Sequence, residues 1–115
     1  SGQWDKGKGC DTFGPIGPYL VTKDEVKNVQ NLNLELKLNG KTVQKGNTNK
    51  MIFDVMHIVA YLSNFMTLYP GDIITTGTPP GIGMARLPQI FLKPNDEMTL
   101  NIDGLGFQKQ KVLSS

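Results

Sequence analysis

Leu32, Leu34, Leu36 and Leu38 alternate with Asn33, Glu35 and Lys37, and Asn39-Gly40 follows at once. Successive side chains of an extended strand point to opposite faces, so this alternation places every leucine on one face of a half-buried strand. The segment is a strand and not a helix. Asn-Gly favours a type I′ turn, which predicts that residues 41–45 return antiparallel as the second arm of a hairpin. Met98, Leu100 and Ile102 alternate in the same way. Residues 103–106 should turn the chain there, and Phe107 to Val112 should come back as a second hairpin.

Between the hairpins the period changes. Ile52, Val55, Met56, Val59, Leu62 and Met66 follow the three-four spacing of one apolar helical face, and Pro70-Gly71 closes the element. A helix covering an open sheet face is the expected arrangement, and the fold class is mainly β with one principal helix (α+β). His57, the only histidine, lies in this helix. A lone histidine beside an apolar face reads as a packing or surface residue before it reads as a ligand, because a metal site needs several convergent donors. Met51, Met56 and Met66 read as core filler.

A chain of 115 residues fits one domain, and 38% hydrophobic residues are compatible with a core. Its apolar runs are too short to span a bilayer. The start SGQWDK has neither a basic nor an apolar leader region, and one cysteine forms no internal disulfide; both point to the cytoplasm. The formal charge is +2, eleven of the twelve basic residues are scattered lysines, and Arg86 is the only arginine. Without clustered basic residues and stacking aromatics, neither nucleic acid nor a membrane is an expected partner.

Two loops carry the remaining signal. KGKGCDTFGPIGP, Lys6 to Pro18, is too rich in glycine for a helix interior and too interrupted for a central strand, so it reads as a loop. GDIITTGTPPGIG, Gly71 to Gly83, reads as a short strand at Asp72–Thr76 that a rigid Gly-Thr-Pro-Pro-Gly turn ends, with hydroxyls and backbone N–H groups at its mouth. It is not a P-loop, because no Gly-Lys-Ser/Thr follows. It is not a dinucleotide fingerprint, because the glycine spacing differs and the double proline forbids an immediate helix start. Taken alone, the segment fits a structural turn as well as a binding loop.

Together, KGKGCDTFGPIGPYLVT, MIFDVMHIVAYLSNFMTLYPGDIITTGTPPGIG and LKPNDEMTLNIDGLG resemble the carboxyl-terminal part of the fumarylacetoacetate hydrolase family, in its order and spacing over essentially residues 1–115. The resemblance implies a mixed, largely antiparallel β-roll around a single helix, incomplete here, and a homodimer. It also implies cleavage, isomerisation or decarboxylation of small β-diketo or 2-oxo acids at a divalent metal: Mg²⁺, or Mn²⁺ or Ca²⁺. The Gly2-Gln3-Trp4 start and the Lys6–Phe13 loop look most like members acting on diketo-deoxy sugar acids.

By the same resemblance, Lys8 matches the active-site lysine and Thr12 the threonine four residues on. Thr78 matches the threonine that touches the substrate carboxylate, and Gly77 lets the backbone approach. An ammonium near the substrate stabilises oxyanion charge; otherwise Lys8 is a solvated loop lysine. Cys10 reads as a small buried hydrophobe and Asp11 as a turn former. The family's metal ligands, a Glu-x-Glu pair and an aspartate, fall upstream of the resembling region. No Glu-x-Glu occurs here, and Glu25, Glu35 and Glu97 are far apart. No metal ligand is therefore expected in the chain, which reads as a carboxyl-terminal fragment with half of an active site. The other reading is a non-catalytic β-roll subunit that only folds or associates.

Overall fold

The structure is a computed structural model and describes residues 3–114, which leaves Gly2 of the Gly2-Gln3-Trp4 start outside the described residues. Its centre is a four-stranded antiparallel sheet in the order β2-β1-β3-β4, formed by β1 (Asn33–Leu38), β2 (Lys41–Asn47), β3 (Glu97–Ile102) and β4 (Gly106–Lys111). Both expected hairpins are present. Asn39 and Gly40 take φ values of 49° and 78°, the two positive angles that a type I′ turn requires.

The leucine alternation also decides what β1 meets on its other side. Leu34 lies opposite Ile102, Leu36 opposite Leu100 and Leu38 opposite Met98, so apolar cross-strand pairs join the two hairpins. On that face one row runs Gln44, Leu36, Leu100, Gln108 across the whole sheet. The amide nitrogen of Gln108 donates to the Gly17 carbonyl beyond β4. That of Gln44 donates into the turn at residues 78–79 beyond β2. The row therefore anchors the two unusual loops at opposite edges of one sheet, roughly 14 Å apart at the strand spacing of sheets.

The β1–β2 ladder contains a bulge. Leu36 faces Gln44 and Lys37 faces Thr42, leaving Val43 as the extra residue on β2. Its carbonyl, turned out of the ladder, accepts a hydrogen bond from the Arg86 guanidinium.

The principal helix, α2 (Val55–Ser63), is shorter than the apolar spacing suggested. Asp54 caps its start by accepting from the His57 N–H at 2.6 Å, and the N–H groups of Phe65 and Met66 close its end on the Leu62 carbonyl. Its half-buried stripe is Val55, Ile58 and Leu62; Met56 and Val59 are exposed. The helix does not cover the sheet face as expected. Its outer side carries Phe53, His57, Tyr61 and Phe65 as a ladder, with Phe53 and His57 ring centroids 4.7 Å apart and Tyr61 and Phe65 5.0 Å apart. His57 is thus a surface packing residue. Met56 and Met66 are exposed rather than core filler, and Met51 is half-buried.

Two further expectations are corrected. Trp4–Lys8 forms a short helix, α1, where Lys6 to Lys8 were expected as loop. Gly9 ends it: its N–H reaches the Asp5 carbonyl at 2.7 Å, an approach that a side chain at Gly9 would block. Residues 72–76, expected as a short strand, belong to no strand of the sheet.

Among the described residues no apolar side chain is fully buried, and Leu20, Ile52 and Leu87 are more than nine-tenths exposed. The chain presents 9669 Å² to solvent, against about 6200 Å² for a folded monomer of this mass. Its radius of gyration is 15.7 Å, against about 13 Å for a compact chain of this length. The strands are paired, but the apolar side chains of sheet and helix are at most half-buried.

Candidate functional site

Thr78 is exposed and stands at the head of a turn pressed onto the bulged part of β2. Gln44 Nε2 donates to Thr78 Oγ1 at 2.8 Å and to the Pro79 carbonyl at 2.6 Å. Arg86 Nε donates to the Gly81 carbonyl at 3.0 Å while its other arm holds Val43. The fit leaves no room for side chains: a Cβ on Gly81 would collide with the Val43 carbonyl, and one on Gly46 would lie 3.0 Å from Pro79 Cβ.

Gly77 has φ 97°, a conformation costly for any residue with a Cβ, while a Cβ there would meet nothing within 4 Å. Its glycine is required by backbone angle and not by crowding within this chain. No backbone N–H from Ile73 to Thr78 donates a hydrogen bond among the described residues. The turn thus presents the Thr78 hydroxyl beside backbone N–H groups that have no acceptor among the described residues.

Lys8 lies on α1 with its ammonium 5.2 Å from the centroid of the Trp4 ring, a cation–π contact one helical turn back. It has no ion-pair partner among the described residues. Thr12 has φ 69°, an unusual angle for a β-branched residue that reverses the chain after α1. Cys10 is exposed, contrary to expectation, with its thiol 3.7 Å from the Lys6 carbonyl. Asp11 is exposed in the turn that follows.

Gly77 and Thr78 share one turn and Lys8 and Thr12 lie four residues apart at the end of α1, and no hydrogen bond or ion pair joins these four residues to one another among the described residues. Nor does any group of three His, Cys, Asp or Glu side chains converge there to hold a metal ion. Among the described residues the donors do not fit a divalent cation. Gln44 and Arg86 were not legible as site residues, since Gln44 reads as an ordinary polar strand position and only the bulge turns it to the loop.

The profile described as Fumarylacetoacetate (FAA) hydrolase C-terminal matches residues 1–113. A "Putative hydrolase" of Burkholderia ambifaria is 61% identical over 112 residues, 96% of this chain and 40% of that protein. The chain thus spans about two-fifths of the length of the curated relatives it matches. The structure of a fumarylacetoacetate hydrolase from psychrophilic Exiguobacterium antarcticum superposes with a TM-score of 0.92 at 36% identity, over 96% of this chain and 39% of that one. Maleylpyruvate hydrolase from Sphingobium sp. SYK-6, in complex with manganese(II) ion and pyruvate, gives a TM-score of 0.81 at 37% identity, over 90% and 36% of the two chains. With the profile matched over almost every residue, and with the antiparallel sheet and the Gly77-Thr78 turn in place, the chain belongs to the fumarylacetoacetate hydrolase family.

Proposed function

We propose that this chain supplies the anion-recognition part of an active site that cleaves a C–C bond in acylpyruvate or diketo-deoxy acid substrates. The observation that carries the proposal is the exposed Gly77-Thr78 turn, whose hydroxyl and unpaired N–H groups suit the carboxylate of a 2-oxo acid. The pyruvate bound in the similar maleylpyruvate hydrolase supports that ligand class. In this reading Thr78 and the turn bind and orient the substrate carboxylate. Lys8, cationic and without an ion-pair partner among the described residues, stabilises the negative charge that develops on oxygen as the C–C bond breaks. Thr12 shapes the turn that follows the helix carrying Lys8.

A divalent cation, when bound, would polarise the keto oxygen. In this reading its ligands come from the three-fifths of the relatives that this chain does not span. The uncovered apolar surface supports assembly with that part and into a homodimer, and the single cysteine suits the cytoplasm.

The test is Thr78→Val in the complete protein, assayed by the loss of the enol absorbance of acetylpyruvate. Removing the hydroxyl from a charged partner should cost about 1.5–3 kcal/mol, roughly a 10- to 100-fold loss in kcat/KM. Wild-type kinetics in a folded variant return the turn to a structural role. Accumulation of an isomerised or decarboxylated product instead of cleavage moves the reaction to another branch of the family.

A further inference from the structure

The hydrogen bonds around Gln44 determine which way the Thr78 hydroxyl points. The Pro79 carbonyl is only an acceptor, so the atom of the Gln44 amide 2.6 Å from it must be nitrogen. That nitrogen has one further hydrogen, and it is directed at Thr78 Oγ1, 2.8 Å away. Thr78 is therefore the acceptor in this pair. Its own proton is left to be donated elsewhere, on a turn whose neighbouring N–H groups are also free.

The placement of Gln44 depends on the bulge. Val43 is the extra residue of β2, and Arg86 fastens the Val43 and Gly81 carbonyls together, which locks the bulged strand to the turn. Gln44 is half-buried and follows Val43 directly, on the sheet face that carries Leu36. The amide thus has a fixed base and two fixed acceptors.

We propose that Gln44 is a positioning residue, which holds the Thr78 hydroxyl as a donor to an anionic oxygen of the substrate while Arg86 keeps strand and turn in register. This rests on the carboxylate-binding role given to Thr78 above. A glutamate at position 44 would invert the arrangement: an ionised carboxylate only accepts, so it would accept the hydrogen bond of the Thr78 hydroxyl, repel the Pro79 carbonyl and place negative charge beside the substrate carboxylate.

The experiment compares Gln44→Glu, Gln44→Met, Thr78→Val and Gln44→Met/Thr78→Val in the complete protein, with acetylpyruvate as substrate and pyruvate as competitive inhibitor. Gln44→Glu should raise KM and the pyruvate inhibition constant at neutral pH by about 10-fold or more, with smaller change in kcat. Affinity should recover in acid as the introduced carboxyl protonates, a pH dependence that loss of packing would not produce. Gln44→Met should weaken pyruvate binding in the wild-type background but by less than about 2-fold in the Thr78→Val background, as two residues acting through one contact require.

Equal losses from Gln44→Met in both backgrounds overturn the positioning role. So does a Gln44→Glu protein whose pyruvate affinity matches wild type at neutral pH. If Gln44→Met does not fold, the pH profile of Gln44→Glu decides alone. Thr78→Val with unchanged pyruvate affinity overturns the carboxylate role itself; a weakened Thr78→Val beside harmless Gln44 variants overturns only the role of Gln44.

Discussion

Asn33 and Asp103, 70 residues apart, clamp the two hairpins at one end of β1: Asp103 Oδ2 accepts from Asn33 N at 3.0 Å and from Asn33 Nδ2 at 2.8 Å. The Asp103 N–H returns a bond to the Asn33 carbonyl at 3.0 Å. Asn39 closes the other end. Its side chain donates to Asp96 Oδ1 at 2.8 Å and accepts from the Glu97 N–H at 2.9 Å. Asp103→Ala removes the carboxylate that both Asn33 donors share, at a partly hydrated site, and should cost about 1–2 kcal/mol. Faster hydrogen exchange of β1 and β3 amides in the complete protein, with the β1–β2 turn unchanged, is the expected signature.

Acid should loosen the opposite clamp. The Asn39 amide, followed by the Lys93 N–H, holds the Asp96 carboxyl below the ordinary aspartate value of 3.8. The unfolded chain therefore takes up this proton at higher pH than the folded one. Asp96 contributes stability above the ordinary value and loses it as pH falls through the lowered one. Unfolding of the complete protein, followed by denaturant from about pH 5 to pH 2, should show a shallower loss of stability for Asp96→Asn than for wild type. Parallel curves would remove Asp96 from the acid response.

The 115-residue chain on its own should form a dimer or larger species. Many large apolar side chains are exposed and β2 and β4 are edge strands of the sheet, surfaces that pair readily with a second chain. Light scattering over a wide concentration range checks this. A sharp monomer mass throughout would contradict it.

Isolated, the same chain should bind Mg²⁺ no better than scattered surface carboxylates, since no three donors converge among the described residues, and should not hydrolyse acylpyruvates. In the complete protein, Lys8→Met should keep metal binding and fold while lowering kcat roughly 10²- to 10³-fold, the loss typical of one oxyanion-stabilising group. Calorimetric Mg²⁺ titration and single-turnover rates check both statements. Metal-dependent turnover by the isolated chain, or normal turnover by a folded Lys8→Met protein, would sink this account.

What the residues determine alone is local. Period-two leucines with Asn39-Gly40 specify β1, its turn and β2, because side-chain alternation and positive φ act over a few residues; Met98 to Val112 does the same for β3 and β4. The family was legible through the order and spacing of several motifs, those around Lys8, Thr12, Gly77 and Thr78 among them, whereas the short helix that carries Lys8 was not. Tertiary structure decided the rest. Only long-range packing selects Val55, Ile58 and Leu62 as the half-buried stripe of α2, keeps residues 72–76 out of the sheet, and joins β1 to β3 across some sixty residues. Gln44 shows why most sharply: neither its type nor its neighbours in sequence mark it. It reaches Thr78 because a single extra residue bulges the strand and Arg86, 43 residues from Val43, holds that bulge against the turn.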